Sequence, residues 1–304
     1  MGRFTARRRV IRYTLGERTG RREDQLTVEE PLEIRVGGER LAVTMRTPGH
    51  DVDLAIGLLV SEGVVRRGDE VRGAIHCAEA GAGVGARASG GDTSNSYNVL
   101  DVALEPWAGP LPASATHALT MTSACGLCGK DSIDAVRQAS AHPVADDPVA
   151  VDASWLVTLP DRMREAQPLF ERTGGLHAAA LVDVGRDEVL VVREDVGRHN
   201  AVDKVIGWAV RHGRFPLTGT VLVVSGRAGF ELAQKASMAG IPVMASVSAP
   251  SSLAVDLAEE VGLTLAGFVR GSSMVVYAGD ERVRSGAERA TTATDVGRGA
   301  EARA

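Results

Sequence analysis

Leu32-Glu33-Ile34-Arg35-Val36 alternates apolar and polar side chains, the period-2 pattern of a half-buried strand. Gly37-Gly38 then offers a hairpin turn into a second strand over Leu41-Ala42-Val43-Thr44-Met45. From Asp51 to about Glu62 the spacing changes to that of a helix. It buries Leu54, Ile56, Leu58 and Leu59, with Asp51 or Asp53 as its cap. Residues 78–96 are rich in Gly, Ala and Ser and read as a loop. Tyr97 to Leu104 reads as another strand, and Pro106, Pro110 and Pro112 then break regular structure. A cysteine-bearing segment follows, with a short helix expected over Asp131–Ala139 and a polar connection over 140–150.

From Val151 onward the pattern is different. A helix is expected from Ser154 to about Glu171, followed by strands at Ala178–Val182 and Val189–Val192. Helices over Ala201–Arg211, Glu231–Ala239 and Leu253–Val261 then alternate with strands at Val221–Val224, Pro242–Ser246, Leu263–Val269 and Val275–Ala278. Continuous apolar strands alternating with helices predict a three-layer α/β/α domain on a largely parallel sheet. The chain therefore divides into a disordered basic tail (1–25), an N-terminal α+β domain (26–112) and a mobile cysteine loop with its connection (113–150). An α/β cofactor-binding domain (151–280) and a disordered tail (281–304) complete it.

Composition narrows the class. A hydrophobic content of 44% supports a sizeable core, and aromatics at 4% require that core to be Val, Leu, Ala and Ile. A net charge of −5 gives no electrostatic reason to bind nucleic acid. No apolar run reaches the roughly 18 residues that span a bilayer. Arg7-Arg8-Arg9 is followed by no apolar stretch that would make it a twin-arginine signal, so it is read as a mobile cytoplasmic tail rather than a docking arm.

Three cysteines in 304 residues do not make a disulfide framework, and the pattern suits a reducing compartment. Two of them lie in Ser123-Ala124-Cys125-Gly126-Leu127-Cys128-Gly129-Lys130. Small neighbours keep the sulfurs accessible, and Lys130 favours the thiolate, the reactive form. A structural zinc site needs four ligands, and only Cys77 remains as a thiol, with no His pair at metal spacing. Cys77 itself reads as a small buried hydrophobe. A dithiol oxidoreductase and a persulfide carrier both stay open on the residues alone.

Three further segments carry candidate chemistry. Arg193-Glu194-Asp195-Val196-Gly197-Arg198-His199-Asn200-Ala201-Val202-Asp203-Lys204 is denser in polar groups than a turn requires. Either it is a buried ion-pair network, or Arg198, His199 and Lys204 face an anionic ligand, with Asn200 capping the helix. Ser225-Gly226-Arg227 and Ser246–Ser252 each join an apolar strand to a helix, presenting backbone N–H groups suited to phosphate. Neither is a complete P-loop or dinucleotide fingerprint. In Phe268-Val269-Arg270-Gly271-Ser272-Ser273, the Phe ring can stack on a base and Arg270 can hold a phosphate.

Together these motifs resemble the FdhD family of formate dehydrogenase accessory sulfurtransferases. The resemblance covers about residues 28–280. It is carried by Glu30-Pro31-Leu32, Met45-Arg46-Thr47-Pro48-Gly49, the Cys125–Lys130 segment and Gly175-Leu176-His177-Ala178-Ala179-Ala180. Glu194–Lys204, Ser225-Gly226-Arg227 and Ser248-Ala249-Pro250-Ser251-Ser252-Leu253-Ala254-Val255 continue it. It implies a cytoplasmic homodimer that takes persulfide sulfur from a cysteine desulfurase and passes it to bis-molybdopterin guanine dinucleotide, before that cofactor enters formate dehydrogenase. Cys125 would carry the persulfide, and Cys128 would assist. Phe268–Ser273 would contact the guanine-dinucleotide cofactor, bound as acceptor, with no resident metal. The family's α/β domain is similar to cytidine deaminases. Deaminase chemistry is excluded here, because His177-Ala178-Ala179 places alanine where His-x-Glu needs its acid. The residue at His50, often acidic in the family, is a departure at the domain contact. The alternatives are a dithiol–disulfide oxidoreductase and a non-catalytic cofactor-binding chaperone.

Overall fold

The computed structural model describes residues 4–16, 19–77, 98–109, 119–120 and 140–285. Its first element corrects the sequence reading. Strands β1 (Thr5–Arg12) and β2 (Gly20–Thr27) form an antiparallel hairpin where a disordered tail was expected. High charge masked the strand pattern, because both faces of this ribbon are largely exposed and neither shows alternation.

Strands β3 (Glu30–Val36) and β4 (Glu39–Arg46) form the expected hairpin, turning through Gly37 and Gly38 at φ +59° and +86°. Leu32, Ile34 and Val36 point inward, as their alternation requires. Helix α1 (Asp51–Ser61) begins after His50 in a left-handed conformation, with no side-chain cap. Asp51 and Asp53 lie in its first turn, where the helix dipole favours acids. Strands β5 (Val71–His76), β6 (Val99–Leu104) and β7 (Leu119–Thr120) complete a five-stranded sheet of order β5-β6-β3-β4-β7. Cys77 directly follows β5 and is half-buried, not buried as expected.

After strand β8 (Val151–Asp152), the single helix expected over 154–171 is three: α2 (Ala153–Leu156), α3 (Leu159–Glu165) and α4 (Pro168–Thr173). Pro160 and Pro168 sit in the first turns of α3 and α4, where a missing N–H costs nothing but a preceding helix cannot continue. Strands β9 (His177–Asp183) and β10 (Glu188–Asp195), helix α5 (Arg198–Arg211), strand β11 (Thr220–Val224) and helix α6 (Phe230–Met238) follow. Then come β12 (Val243–Ser246), α7 (Ser252–Val261), β13 (Thr264–Arg270), β14 (Ser273–Ala278) and β15 (Val283–Arg284). Strand β15 pairs with β8, in a stretch expected to be tail.

The main sheet has the order β10-β9-β11-β12-β13-β14. Strands β10, β11, β12 and β13 point the same way, but only the neighbouring pairs β11–β12 and β12–β13 are parallel, because antiparallel β9 lies between β10 and β11 and β14 is antiparallel to β13; the expectation of a largely parallel sheet is corrected. Strand pairs β9–β10 and β13–β14 are joined by short turns, and such turns can only connect antiparallel neighbours. The sheet buries both faces. Ala179, Leu181, Leu222, Val224 and Met244 pack with α5, α6 and α7, while Ala178, Ala180, Val182, Val221 and Val223 pack with Leu156, Leu159 and Met163.

The core on the α5 side also contains Leu32, Ile34 and α1, so the N-terminal and α/β parts share one hydrophobic interior. Helices α1 and α5 cross at Gly57 and Gly207. A Cβ at Gly207 would lie 2.7 Å from the carbonyl carbon of Asp53 and 2.8 Å from the Gly57 nitrogen. Only glycine permits that approach.

Candidate functional site

Five strand termini meet at one edge of the main sheet: the C-terminal ends of β10, β11, β12 and β13 and the start of antiparallel β9. A cavity of about 550 Å³ opens there. His177, Val196, Ser225, Val247, Val269 and Arg270 form its floor and sides, and α3, α4 and Gly174–Leu176 form its opposite wall. Its volume is that of a small-molecule site, and strand ends are where α/β sheets place ligands.

The loops around it are built by their own hydrogen bonds. Ser225 N donates to the Ala178 carbonyl (3.0 Å), and the Ser225 hydroxyl accepts from Ala178 N (2.9 Å). The Ser246 hydroxyl donates to the Gly226 carbonyl at 2.6 Å. Ala228 N donates to the Ala249 carbonyl, and Ser251 N to that of Ala228. The two turns read as phosphate sites are thus laced together. Gly226 packs against His177, whose Nδ1 lies 3.3 Å from where a Cβ would stand. Helix α6 has no side-chain cap, whereas Ser251 caps α7 by accepting from Ala254 N. The N–H groups opening α6 thus have no side-chain acceptor.

Of the residues expected to bind cofactor, Ser225, Val269 and Arg270 line the cavity, and Gly226 lies behind it. Phe268 is half-buried at φ +52°, held by its N–H on the Ser248 carbonyl, and the Arg270 guanidinium sits 5.8 Å from its ring centroid. Gly271, Ser272 and Ser273 are exposed at the β13–β14 turn, and Arg227 is exposed off the cavity lining. His199 is not part of the lining; its Nε2 lies 2.5 Å from Glu231 Oε2. Cys125 and Cys128 lie outside the described residues.

Several wall residues escaped the sequence reading. Arg164 stacks 4.2 Å from the Phe170 ring centroid and donates to Gln167 Oε1 at 3.2 Å. Their signal was hidden by treating 154–171 as one uninterrupted helix. His177 belongs to the Gly175–Ala180 motif and opens β9. Its imidazole is held below the usual histidine range, first by burial and then by the nearby Arg198 guanidinium. It is neutral near pH 7.

The Glu194–Lys204 segment resolves as a buried network. Lys204 Nζ donates to Asp195 Oδ2 (2.6 Å) and the Thr47 carbonyl (2.9 Å), with both side chains essentially inaccessible. Asp195 also accepts from the N–H groups of Thr47 and Gly197 and from Asn200 Nδ2. Asn200 therefore does not cap α5. Gly197 occupies that position, and Asn200 joins Asp195 to the Met45 carbonyl. Lys204 is fully engaged and faces no ligand. The Val196 N–H on the Thr47 hydroxyl (3.1 Å) ties this network to the cavity wall.

Related pairs stitch the two halves elsewhere. Asp53 holds Arg193 (3.1 Å) and Arg211 (2.6 Å), and Asp203 holds Lys235 (2.7 Å) and the Ser61 hydroxyl (2.7 Å). Burial pushes the Asp203 carboxyl up despite its lysine. Arg46 grips Asp51 with two 3.0 Å bonds. His50, expected only at the domain contact, lies 3.7 Å from Asp53 and is held below the usual histidine range by burial and by Arg193.

Among the described residues, no group of three or more His, Cys, Asp or Glu side chains is placed to hold a metal, and no helix is long and apolar enough to cross a membrane.

Comparison with known proteins adds the family evidence. Residues 27–284 match the model of the FdhD/NarQ family. The chain is 56% identical over 284 residues to the sulfur carrier protein FdhD of Streptomyces avermitilis, covering 93% of this chain and 97% of that one. It is 53% identical to the protein of the same name from Mycobacterium tuberculosis, covering 93% and 100%. A crystal structure described as a formate dehydrogenase accessory protein, from Desulfotalea psychrophila, superposes with a TM-score of 0.69 at 20% identity. It covers 93% of this chain and all of that one, which shows a shared fold.

Proposed function

The chain belongs to the FdhD/NarQ family, and from that premise we propose that it is a cytoplasmic sulfur carrier that serves the maturation of formate dehydrogenase. The observation that carries this reading is the strand-end cavity. Residues from separate sequence segments, Ser225, Val269 and Arg270, converge there with His177 and Arg164.

The cavity suits the guanine nucleotide arm of bis-molybdopterin guanine dinucleotide, taken as the acceptor substrate. About 550 Å³ accommodates one nucleotide, not the whole cofactor, so the metal end would lie outside. Arg270 and Arg164 supply the charge for a diphosphate. The fit favours Ser225, Val269 and Arg270 over Gly226, Arg227, Ser272, Ser273 and His199 as direct contacts. Kinship of the α/β part with cytidine deaminases belongs to the same reading, without their chemistry.

In the proposed reaction, the Cys125 thiolate attacks the outer sulfur of a desulfurase persulfide. A new S–S bond forms, the donor S–S bond breaks, and the donor leaves as a thiolate. Delivery follows when the Cys128 thiolate attacks Cys125 Sγ. The terminal sulfur departs as sulfide to the acceptor, leaving a Cys125–Cys128 disulfide that a thiol reductant resets. Thr120 of β7 pairs with Val43 of β4, parallel to it, so the chain leaves β7 in the direction of Arg46 and Thr47. Thr47 is the residue that holds Val196 at the cavity wall. Cys125 follows five residues later.

Intact-protein mass after incubation with a cysteine desulfurase and cysteine tests the reading. A reducible gain of one sulfur, mapped to Cys125, is expected. Loss of two hydrogens between Cys125 and Cys128 without sulfur gain would favour the dithiol oxidoreductase.

A further inference from the structure

The β1–β2 ribbon has no role in the cavity, yet it is the most unusual surface of the molecule. Residues 4–27 carry seven arginines against three acids, a net charge of +4, whereas the rest of the chain is −9. Among the described residues, two of its arginines meet an acid: Arg7 with Glu23 at 3.9 Å and Arg22 with Asp24 at 3.5 Å, both exposed. Arg8, Arg9, Arg12 and Arg21 are exposed and have no acidic partner among the described residues.

Apolar exposure concentrates on the same ribbon. Of nine exposed large hydrophobic residues among those described, five are here: Phe4, Ile11, Tyr13, Leu15 and Leu26, with Leu15 fully accessible at the tip. An isolated two-stranded sheet is marginal in water, and clustered apolar exposure rimmed by charge marks an interaction surface. Its base is anchored beside the cavity. Thr27 and Thr173 share a 3.1 Å hydroxyl hydrogen bond, Val28 N donates to the Phe4 carbonyl, and Gly174 and Gly175, next in the chain, line the cavity rim.

We propose that this ribbon is a docking arm for an acidic protein surface, that of the apo-enzyme receiving the product of the cavity. This rests on the sulfur-carrier reading for the partner's identity. Arginine and tyrosine beside apolar groups are the side chains that dominate protein interfaces, and unpaired cations steer an acidic partner. A bilayer is disfavoured because the ribbon is not amphipathic. One face carries Arg7, Arg9 and Arg21 with Ile11, and the other carries Arg8, Arg12 and Arg22 with Val10 and Leu26, whereas an interfacial element segregates apolar from charged. Glu23 and Asp24 also put an acid on each face, against a polyanion such as DNA.

The test compares full-length protein with R8E/R9E/R12E/R21E and with the same four positions as Gln. Binding to purified apo formate dehydrogenase is measured at 50 and 300 mM salt. Wild type is expected to bind and to weaken with salt. The Glu set should lose tenfold or more and the Gln set an intermediate amount. Sulfur loading from the desulfurase, read by intact mass, should be unchanged. The Gln set decides if the Glu set melts below wild type. The proposal is overturned if wild type does not bind the apo-enzyme or if the variants bind as wild type does. Tighter binding to a 30-base-pair duplex or phosphatidylserine vesicles overturns it as well. So does a switch of the variants from dimer to monomer in light scattering, which would assign the ribbon to a second copy. Failure of wild type to load sulfur would instead sink the carrier reading and leave the binding result to judge the arm.

Discussion

Replacing Gly207 with alanine tests whether the α1–α5 crossing holds the two halves together. The added carbon would sit 2.7 Å from the Asp53 carbonyl carbon and 2.8 Å from the Gly57 nitrogen. Ordinary contact needs roughly 3.4 Å or more, so the helices must part by well over half an ångström. The obstructing atoms are backbone and cannot rotate away. Asp53 is also pinned through its carboxylate by Arg193 and Arg211. Overpacking costs about 1–3 kcal/mol, occasionally more, and a backbone clash belongs at the top of that range. Alanine returns up to about 1 kcal/mol of helix propensity. The net expectation is a loss of about 2 kcal/mol or more, which at roughly 2–4 °C per kcal/mol lowers the melting temperature by about 4–8 °C. Differential scanning calorimetry reads this directly, with Gly73→Ala as the control, because nothing lies within 4 Å of a Cβ there. If Gly207→Ala melted with wild type, the crossing would be looser than described and its glycines incidental.

Lys204→Met should be among the most damaging single changes. It leaves the Asp195 carboxylate buried without its cation, at about 3–5 kcal/mol, measured by denaturant unfolding. Arg270→Ala should weaken binding of a guanine nucleotide, measured by calorimetry, by about tenfold or more through loss of a charge-assisted bond, while Arg227→Ala and His199→Ala should leave it nearly unchanged. Because the folded His177 binds its proton less readily than the unfolded chain, its contribution is complete above about pH 6.5. That contribution is lost as the pH falls toward its lower folded value, and His177→Gln should flatten this limb of a stability–pH profile. A C125A/C128A protein that still restored formate dehydrogenase activity would shift the reading to a cofactor-holding chaperone.

Strong period signals were readable from the chain. Leu32, Ile34 and Val36 declare a one-sided strand, and Val221–Val224 declares a strand buried on both faces, as each proves to be. Strand β5 was not legible, because Arg72 and His76 are exposed and Gly73 interrupts any alternation, and it stays in the sheet by pairing with β6. The ribbon of β1 and β2 failed for a related reason, since its side chains face solvent on both sides. The cavity was half legible. Strand-end turns such as Ser225–Arg227 advertise themselves by small residues after an apolar run, but the opposite wall depends on two prolines dividing 154–171, and their consequence is three-dimensional.

The Glu194–Lys204 segment shows why a dense polar motif need not touch a ligand to serve one. Every charged or amide group in its Asp195–Asn200–Lys204 core is spent on Thr44, Met45, Thr47, Glu194, Gly197 or one another. Such a network is costly to break and adds little net stability against an apolar substitute. What it supplies is position. Asp195 ends β10 and receives the Thr47 N–H, and the Thr47 hydroxyl receives the N–H of Val196 at the cavity wall. Thr47 belongs to the N-terminal half and follows directly from β4, the strand with which β7 pairs. The same buried charges therefore fix both the cavity wall and the strand from which the cysteine segment departs.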